Sequence, residues 1–392
     1  MKNNVLSLVI IILLFCAITS CLGANTQVEW VKYLSIPNLE SDISSLFDSN
    51  AQRSIVYVRT QHEGFTDDYV FQLNGQGQLG KNVEHGLIDS PIIKAELIED
   101  GGMVFLKNSQ KDTPLDYYVE KVNVNNKVEW SKLFKGNGNL LKANDIIETD
   151  KGDFLVCGYM LSLDETYEIF LHRIDKKGNL IWQKTFSEKT ENIKAYNIRQ
   201  TENLGFVLVG KILDDNNEKL FVLKVNNQVG KQWQTIISNQ KEEINDVCVL
   251  GNCIYIATSI KNKNDTYDCK LTKINHNGSV MWVKKFQGQK NDYCVNVKGD
   301  GDNIVLLVTS YSNDGDFKES YGNGDTWVIV INQDGKKVWQ KCIGGSNEEI
   351  GQGICVTNNG YIIGGVTYSK DGDMKHNKKE PGYFLLKLLN RP

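Results

Sequence analysis

Val330-Ile-Asn-Gln-Asp-Gly335-Lys-Lys-Val-Trp339 is one copy of a phrase that returns down the whole chain. Arg173-Ile-Asp-Lys-Lys-Gly178-Asn-Leu-Ile-Trp182 and Lys273-Ile-Asn-His-Asn-Gly278-Ser-Val-Met-Trp282 repeat it, and fainter copies end at Trp130 and Trp233. Another copy ends at Lys81, where Gly77 is kept and the tryptophan is lost, and Trp30 carries only the tail of the phrase. The positions 30, 81, 130, 182, 233, 282 and 339 lie 49 to 57 residues apart. A near-constant interval of that size, filled with strand-like segments, predicts a circular array of blades and not one irregular core.

One repeat shows how a blade is built. Trp182-Gln-Lys-Thr-Phe186 alternates like a strand. Tyr196–Thr201, Phe206–Gly210 and Leu220–Val225 follow, each bounded by turn residues. Four short β-rich segments per repeat, with no helical period to compete, predict a four-stranded antiparallel sheet. Before each tryptophan strand, Asn or Asp stands three residues ahead of glycine: Asn74 and Gly77, Asp175 and Gly178, Asn275 and Gly278, Asn332 and Gly335. The Asx side chain can bond backbone amides, while the glycine supplies the positive φ of a bulged hairpin. Asn126 takes the glycine position in its repeat, asparagine being the next most tolerant residue there. Asp150-Lys-Gly-Asp153 and Asn358-Asn-Gly360 read as tight turns between the two middle strands of the repeat. The tryptophans read as packing devices that fill the wedge between neighbouring blades.

The two ends of the pattern complete each other. Val28–Leu34 is a tryptophan strand with no hairpin partner before it, and Tyr383–Leu388 is the strand that normally precedes one. Pairing them removes two exposed edges. The expectation is an all-β, seven-bladed propeller of four-stranded antiparallel blades over residues 28–390, closed by N- and C-terminal strands that share the last blade.

The bulk numbers agree with a folded chain. Of 392 residues, 41% are hydrophobic and only 5 are proline, so disorder is disfavoured. The formal charge of −4, with signs interspersed, gives no electrostatic footprint for nucleic acid. At the N-terminus, Lys2 precedes an apolar run from Val5 to Ala17 and then Ile18-Thr-Ser-Cys21. Residues 1–20 therefore read as a secretory signal and 21–27 as a short linker. Ile-Thr-Ser-Cys resembles the bacterial lipobox, which implies lipidation of Cys21; ordinary cleavage near Ala24 is the other reading. The chain is expected to be exported, as a cell-envelope lipoprotein or a secreted monomer, touching membrane only through its anchor. In a eukaryotic source Asn264 and Asn277 would be candidate glycan acceptors.

Seven cysteines follow Cys21. Cys248, Cys294 and Cys355, each followed by valine, read as matching buried positions in three repeats. A cross-hairpin disulfide between Cys248 and Cys253 is a second possibility.

The phrase hydrophobic-x-Asx-x-x-Gly-x-x-x-Trp resembles the tryptophan-docked repeat of quinoprotein alcohol dehydrogenase-like (PQQ-like repeat) β-propellers. Gly344-Gly-Ser346, Asn359-Gly-Tyr361-Ile-Ile-Gly-Gly365 and Ser369-Lys-Asp-Gly-Asp373 are similar to the continuation found in secreted bacterial repeat proteins. The resemblance implies architecture. The quinone site of those dehydrogenases, an acid, arginine and stacking cluster with calcium, has no assembled equivalent here, and their propellers usually have eight blades.

Two polar loops suggest chemistry. Ser312-Asn-Asp314-Gly315-Asp316, with Asp325 further on, and Ser369-Lys-Asp371-Gly372-Asp373 place carboxylates around a glycine turn, as oxygen ligands of Ca²⁺ would be placed. Neither loop offers the glutamate of an EF-hand, and a solvated turn uses the same residues. No other cofactor is expected. A second recurring position, at the start of the third strand, reads Asp67, Asp116, Glu168, Lys219, Asp268, Asp325 and Gly382. It forms either a carboxylate ring on one rim or water-facing strand caps. Lys121, Arg173, Lys224, Lys273 and Lys387 read as snorkelling residues at blade edges. No HExxH or GxSxG is present, and no catalytic residue is assigned. The expected function is a protein-binding or scaffolding module; the alternatives are a quinoprotein-like or other enzyme or sensor with a small-molecule or cation site at the central channel, and a glycan-binding surface.

Overall fold

The computed structural model describes residues 27–34, 43–49, 53–62, 65–74, 83–84, 92–109, 116–136, 139–162, 165–187, 192–202, 205–214 and 217–389. Cys21, Gly77 and the segments read as signal and linker up to residue 26 lie outside them. Seven four-stranded antiparallel sheets form a seven-bladed β-propeller. Blades 1 to 6 span residues 43–84, 92–135, 140–186, 192–238, 242–286 and 292–343, and their strands run from the inside outward in chain order. Blade 7 takes its three inner strands from residues 349–389 and its outer strand from Gln27–Leu34. Val28 pairs with Leu388 and Leu34 with Tyr383, so the chain ends share one sheet. The innermost strands follow one another around the axis, with Glu349–Thr357 packed against Ile43–Ser49 to complete the circuit.

This ring has no single core. Each pair of adjacent blades buries its own apolar wedge, so there are as many cores as junctions. The wedge between blades 7 and 1 joins Cys355, Ile362, Tyr383 and Leu385 to Val56, Val58, Phe71 and Leu73. Trp30, Trp130, Trp182, Trp233, Trp282 and Trp339 each pack into the wedge between their own blade and the next. At the junction of blades 1 and 2, where Lys81 replaces tryptophan in the sequence, no indole packs into the wedge among the described residues.

The hairpin and the indole are one device. Asp175 Oδ1 accepts the amides of Lys177 and Asn179 at 2.9 and 2.8 Å. Asn123, Asn226, Asn275 and Asn332 hold their turns in the same way. Gly178 has φ +83°, and a Cβ there would lie 2.8 Å from Cε3 of Trp130 in the preceding blade. Trp130 Nε1 donates to Lys176 O at 2.9 Å. Trp233 and Trp282 donate likewise to His276 O and Gln333 O. The phrase therefore needs glycine twice, for backbone freedom and to seat the neighbour's ring. In blade 4 the left-handed position falls on Val229, at φ 60°, which packs into the wedge holding Trp182.

The cysteines differ from the sequence reading. Cys294 lies just before the bulge of its inner strand, whereas Cys248 and Cys355 lie three residues beyond theirs. The shared Cys-Val dipeptide misaligns Cys294, because sequence does not reveal where a strand bulges. Cys248 and Cys253 are not bonded to each other; the disulfide joins Cys269 of blade 5 to Cys294 of blade 6.

Candidate functional site

The upper face of the disc, where the inner strands begin, carries the Asp-Gly-Asp loops. They are two copies of one clasp, each gripping the connection that enters its own blade. In blade 6, Asp314 Oδ1 accepts Gln289 N at 2.9 Å, Asp316 Oδ2 accepts Gln287 N at 2.9 Å, and Ser312 Oγ accepts Lys290 N at 3.0 Å. In blade 7, Asp371 Oδ1 accepts Ser346 N at 2.7 Å, Asp373 Oδ2 accepts Gly344 N at 3.2 Å, and Ser369 Oγ accepts Asn347 N at 2.9 Å. The Ser346 amide holds the Asp371 carboxyl below its ordinary range. The carboxylate spacing that suggests calcium thus fits a row of backbone amides. The two loops lie in different blades. Among the described residues, no three His, Cys, Asp or Glu side chains come together as a metal set.

The other two recurring polar positions are corrected by burial. Asp268 and Asp325 are 2% and 0% exposed, so they do not face water. Asp268 accepts Asn262 Nδ2 at 2.7 Å and pairs with Lys285, while Asp325 Oδ2 accepts the amides of Tyr321 and Gly322. Asp116 Oδ1 accepts Gly136 N at 3.0 Å. Asp116, Asp268 and Asp325 thus tie down loops beside their own strands. The basic residues do not snorkel. Lys121, Lys224, Lys273 and Lys387 are buried, and they bond to Asp100 and Glu129, to Thr201, to Gln333 O and to Thr357. Arg173 grips Asp153 Oδ2 through Nε and Nη2. Each stands opposite the tryptophan of its blade's outer strand and fixes the lower turns.

The central channel holds a constellation that the linear sequence conceals. Inner strands of blades 2 to 7 each carry a bulge, at Ile93, Asn144, Tyr196, Asn245, Val295 and Gln352. Just after the bulge come Lys94, Asp145, Asn197, Asp246 and Asn296. Arg199 and Lys298 lie two residues further on. Together they line a cavity of about 270 Å³ on the axis. Charges alternate from blade to blade: Lys94 to Asp145 at 3.5 Å, Asp145 to Arg199 at 2.6 Å, Arg199 to Asp246 at 2.9 Å and Asp246 to Lys298 at 3.0 Å. Asp145 and Asp246 also accept the amides of Ile198 and Val297 in the next blade. Burial opposes both carboxylates' charge, but Lys94, Arg199 and Lys298 override it and hold them below the ordinary range. Asn296 Oδ1 is buried with no hydrogen-bond donor among the described residues. The signal that could have found this set is the Asx recurring at 145, 197, 246 and 296, at the same interval as the tryptophans.

Tyrosines mark the upper face. Tyr159 and Tyr167 pack edge to face with centroids 5.6 Å apart, and Tyr159 reaches Tyr196 of blade 4 at 6.5 Å. On the neighbouring blades 5 and 6, Tyr267, Tyr293 and Tyr311 form a second group, at 5.2 and 6.4 Å. All six are half-buried. Burial pushes Tyr196 up to about 12, so its hydroxyl stays a donor. Tyrosine, rigid and amphipathic, is among the side chains enriched where proteins meet.

No family model matches the chain, and no curated protein matches it. Among solved structures it is similar to BBS1N, solved in complex with ARL6DN: TM-score 0.53, 10% identity, covering 94% of this chain and 97% of that one. It is also similar to the polysaccharide lyase Uly1, with TM-score 0.54, 10% identity and coverage of 88% and 90%. The β-propeller domain of the Trilobed protease from Pyrococcus furiosus matches with TM-score 0.50 and 8% identity over 83% and 91%. Identities this low establish the propeller fold and leave function to the site.

Proposed function

We propose that the chain is an exported propeller that binds another protein through its upper face, held at a membrane by a lipid on Cys21. The observation that carries this reading is the pair of half-buried tyrosine groups on that face. The central channel, in contrast, has its charges matched to one another. BBS1N, a propeller-fold neighbour crystallised with ARL6DN, supports the class of function and no particular partner. Export is supported by the N-terminal apolar run and by the Cys269–Cys294 disulfide, a bond that persists in oxidising compartments. In this reading the tryptophan-docked repeat, similar to quinoprotein-type propellers, is a structural grammar and brings no quinone.

The test is photo-crosslinking in the native source, with a benzophenone side chain at Tyr167, at Tyr293 or, on the outer rim, at Met281. A single protein captured from 167 and 293, and absent from 281, supports the reading. Capture from 281 alone contradicts it. A second reading, a small polar ligand in the channel, is favoured by the orphaned Asn296 Oδ1. It predicts that Asn296→Ala abolishes ligand-induced thermal stabilisation.

A further inference from the structure

We propose that the quarter of the upper face over blades 3 and 4 docks an acidic segment of the partner; this rests on the protein-binding reading above. Three lysines converge there. Lys194 Nζ lies 3.6 Å from the ring centre of Tyr167 and 4.5 Å from that of Tyr159, and Lys142 Nζ lies 6.0 Å from Tyr159. Lys194 stands directly opposite Lys211 across the strand pair, an arrangement that like charges disfavour. Lys211 is matched by Glu218 at 2.7 Å. Among the described residues no carboxylate lies within ion-pair distance of Lys142 or Lys194. Burial lowers the pKa of Lys194 and the charge of Lys142 lowers it further, while Glu218, the partner of Lys211, offsets only part of this.

This character is local. The positions equivalent to Lys142 and Lys194, two residues before the bulge, are Glu243, Tyr293 and Ile350 in blades 5, 6 and 7. The cluster therefore does not follow from the repeat. A carboxylate placed between the two ammonium groups would relieve their repulsion and accept from nearby tyrosine hydroxyls. The rings, already covered by Lys194 on one side, would pack against the aliphatic part of the same segment.

The probe is a fluorescein-labelled glutamate decapeptide titrated with the full chain by fluorescence anisotropy, beside a lysine decapeptide. The wild-type protein should bind the glutamate peptide at low salt, weaken as salt is raised, and ignore the lysine peptide. Lys142→Glu/Lys194→Glu should lose at least about tenfold in affinity for the glutamate peptide. Lys142→Gln/Lys194→Gln provides the same readout if the reversal melts early. Equal binding by wild type and both variants, or no binding by wild type, overturns the proposal. Should the glutamate peptide fail while crosslinks from 167 and 293 persist, only the acidic preference falls. Should both fail, the protein-binding reading falls with it.

Discussion

Asp325 and Glu349 meet across the junction of blades 6 and 7 with Gly344 between them: a Cβ on that glycine would lie 1.9 Å from Asp325 Oδ1 and 3.0 Å from Glu349 Oε2. Both carboxyls are fully buried, and Asp325 Oδ1 has no hydrogen-bond donor among the described residues. At the junction of blades 5 and 6 the equivalent pair, Asp268 and Asp292, is handled differently. There Lys285, which faces Lys270 across the outer strand pair, neutralises Asp268. The equivalent register in blade 6 holds Trp327 and Cys342, so no cation is supplied.

A pH dependence follows. Burial, then the charges of Glu349 and Asp373, push Asp325 up to about 6, and burial raises Glu349 as well. Cys342 and Tyr33, which also lie nearby, stay neutral because their own pKa values are raised. The unfolded carboxyl titrates near 3.9. Between the two values the folded chain holds a proton that the unfolded chain releases, so stability falls as pH rises from about 4 through 6. Asp325→Asn should match wild type at pH 4 and exceed it at pH 7.5 by roughly 1–2 kcal/mol. Asp292, also raised to about 6, keeps part of the slope in the variant. Thermal melts at both pH values decide it; a variant that is less stable at pH 7.5 refutes it.

The docking of indole on glycine predicts a graded pair of substitutions. Gly278 has φ +85°, and a Cβ there would lie 2.8 Å from Trp233 Cε3; Gly251, at φ +57°, has open space around it. Gly251→Ala should cost about 1 kcal/mol, the left-handed penalty alone. Gly278→Ala should cost about 1–3 kcal/mol more, because the ring must move. Equal losses in denaturant titrations would show that the indole plays no part.

Arg199 bridges two buried carboxylates, so its removal weakens the pairing of both. Arg199→Ala should destabilise by about 3 kcal/mol, the low end for a broken buried pair, because Asp145 keeps Lys94 at 3.5 Å and Asp246 keeps Lys298 at 3.0 Å. Replacing all three by apolar residues of similar size should restore much of the loss. A mild effect of the single substitution would mean that Lys94 and Lys298 suffice.

The disulfide staples blade 5 to blade 6 over a sequence separation of 25 residues. Reduction, or Cys269→Ala/Cys294→Ala, should cost about 2–4 kcal/mol. The double variant should then melt identically with and without reductant.

How much of this was legible beforehand depends on where the information lies. Blade number and the Asx-Gly hairpins could be read because each is written in a few consecutive residues, as around Gly178, Gly278 and Gly335, and the closure because Val28–Leu34 and Tyr383–Leu388 each lack the partner that the other supplies. The closure makes a prediction of its own: deleting Gln27–Leu34 should expose Tyr383–Leu389 and accelerate hydrogen exchange through blade 7 first. The channel ladder could not be read in that way. Asp145, Arg199 and Asp246 are about one repeat apart and become neighbours only when the strands bulge in register. The acidic third-strand position was visible, but its burial was not, because the loop that covers Asp325 folds back over it from residues 321–322. Cys269 and Cys294 meet for a similar reason. They occupy facing strands of different blades, and no local spacing announces the pair.

The central claim is that the upper-face tyrosines, and not the channel or the rim, form the binding surface. Its most direct test is the affinity of the crosslinked partner for three variants: Tyr159→Ala/Tyr167→Ala, Asn296→Ala and Met281→Ala. Loss of about 2 kcal/mol or more, roughly thirtyfold in Kd, for the tyrosine pair alone is the predicted result. An unchanged Kd for that pair, with loss at Asn296 or Met281, contradicts it.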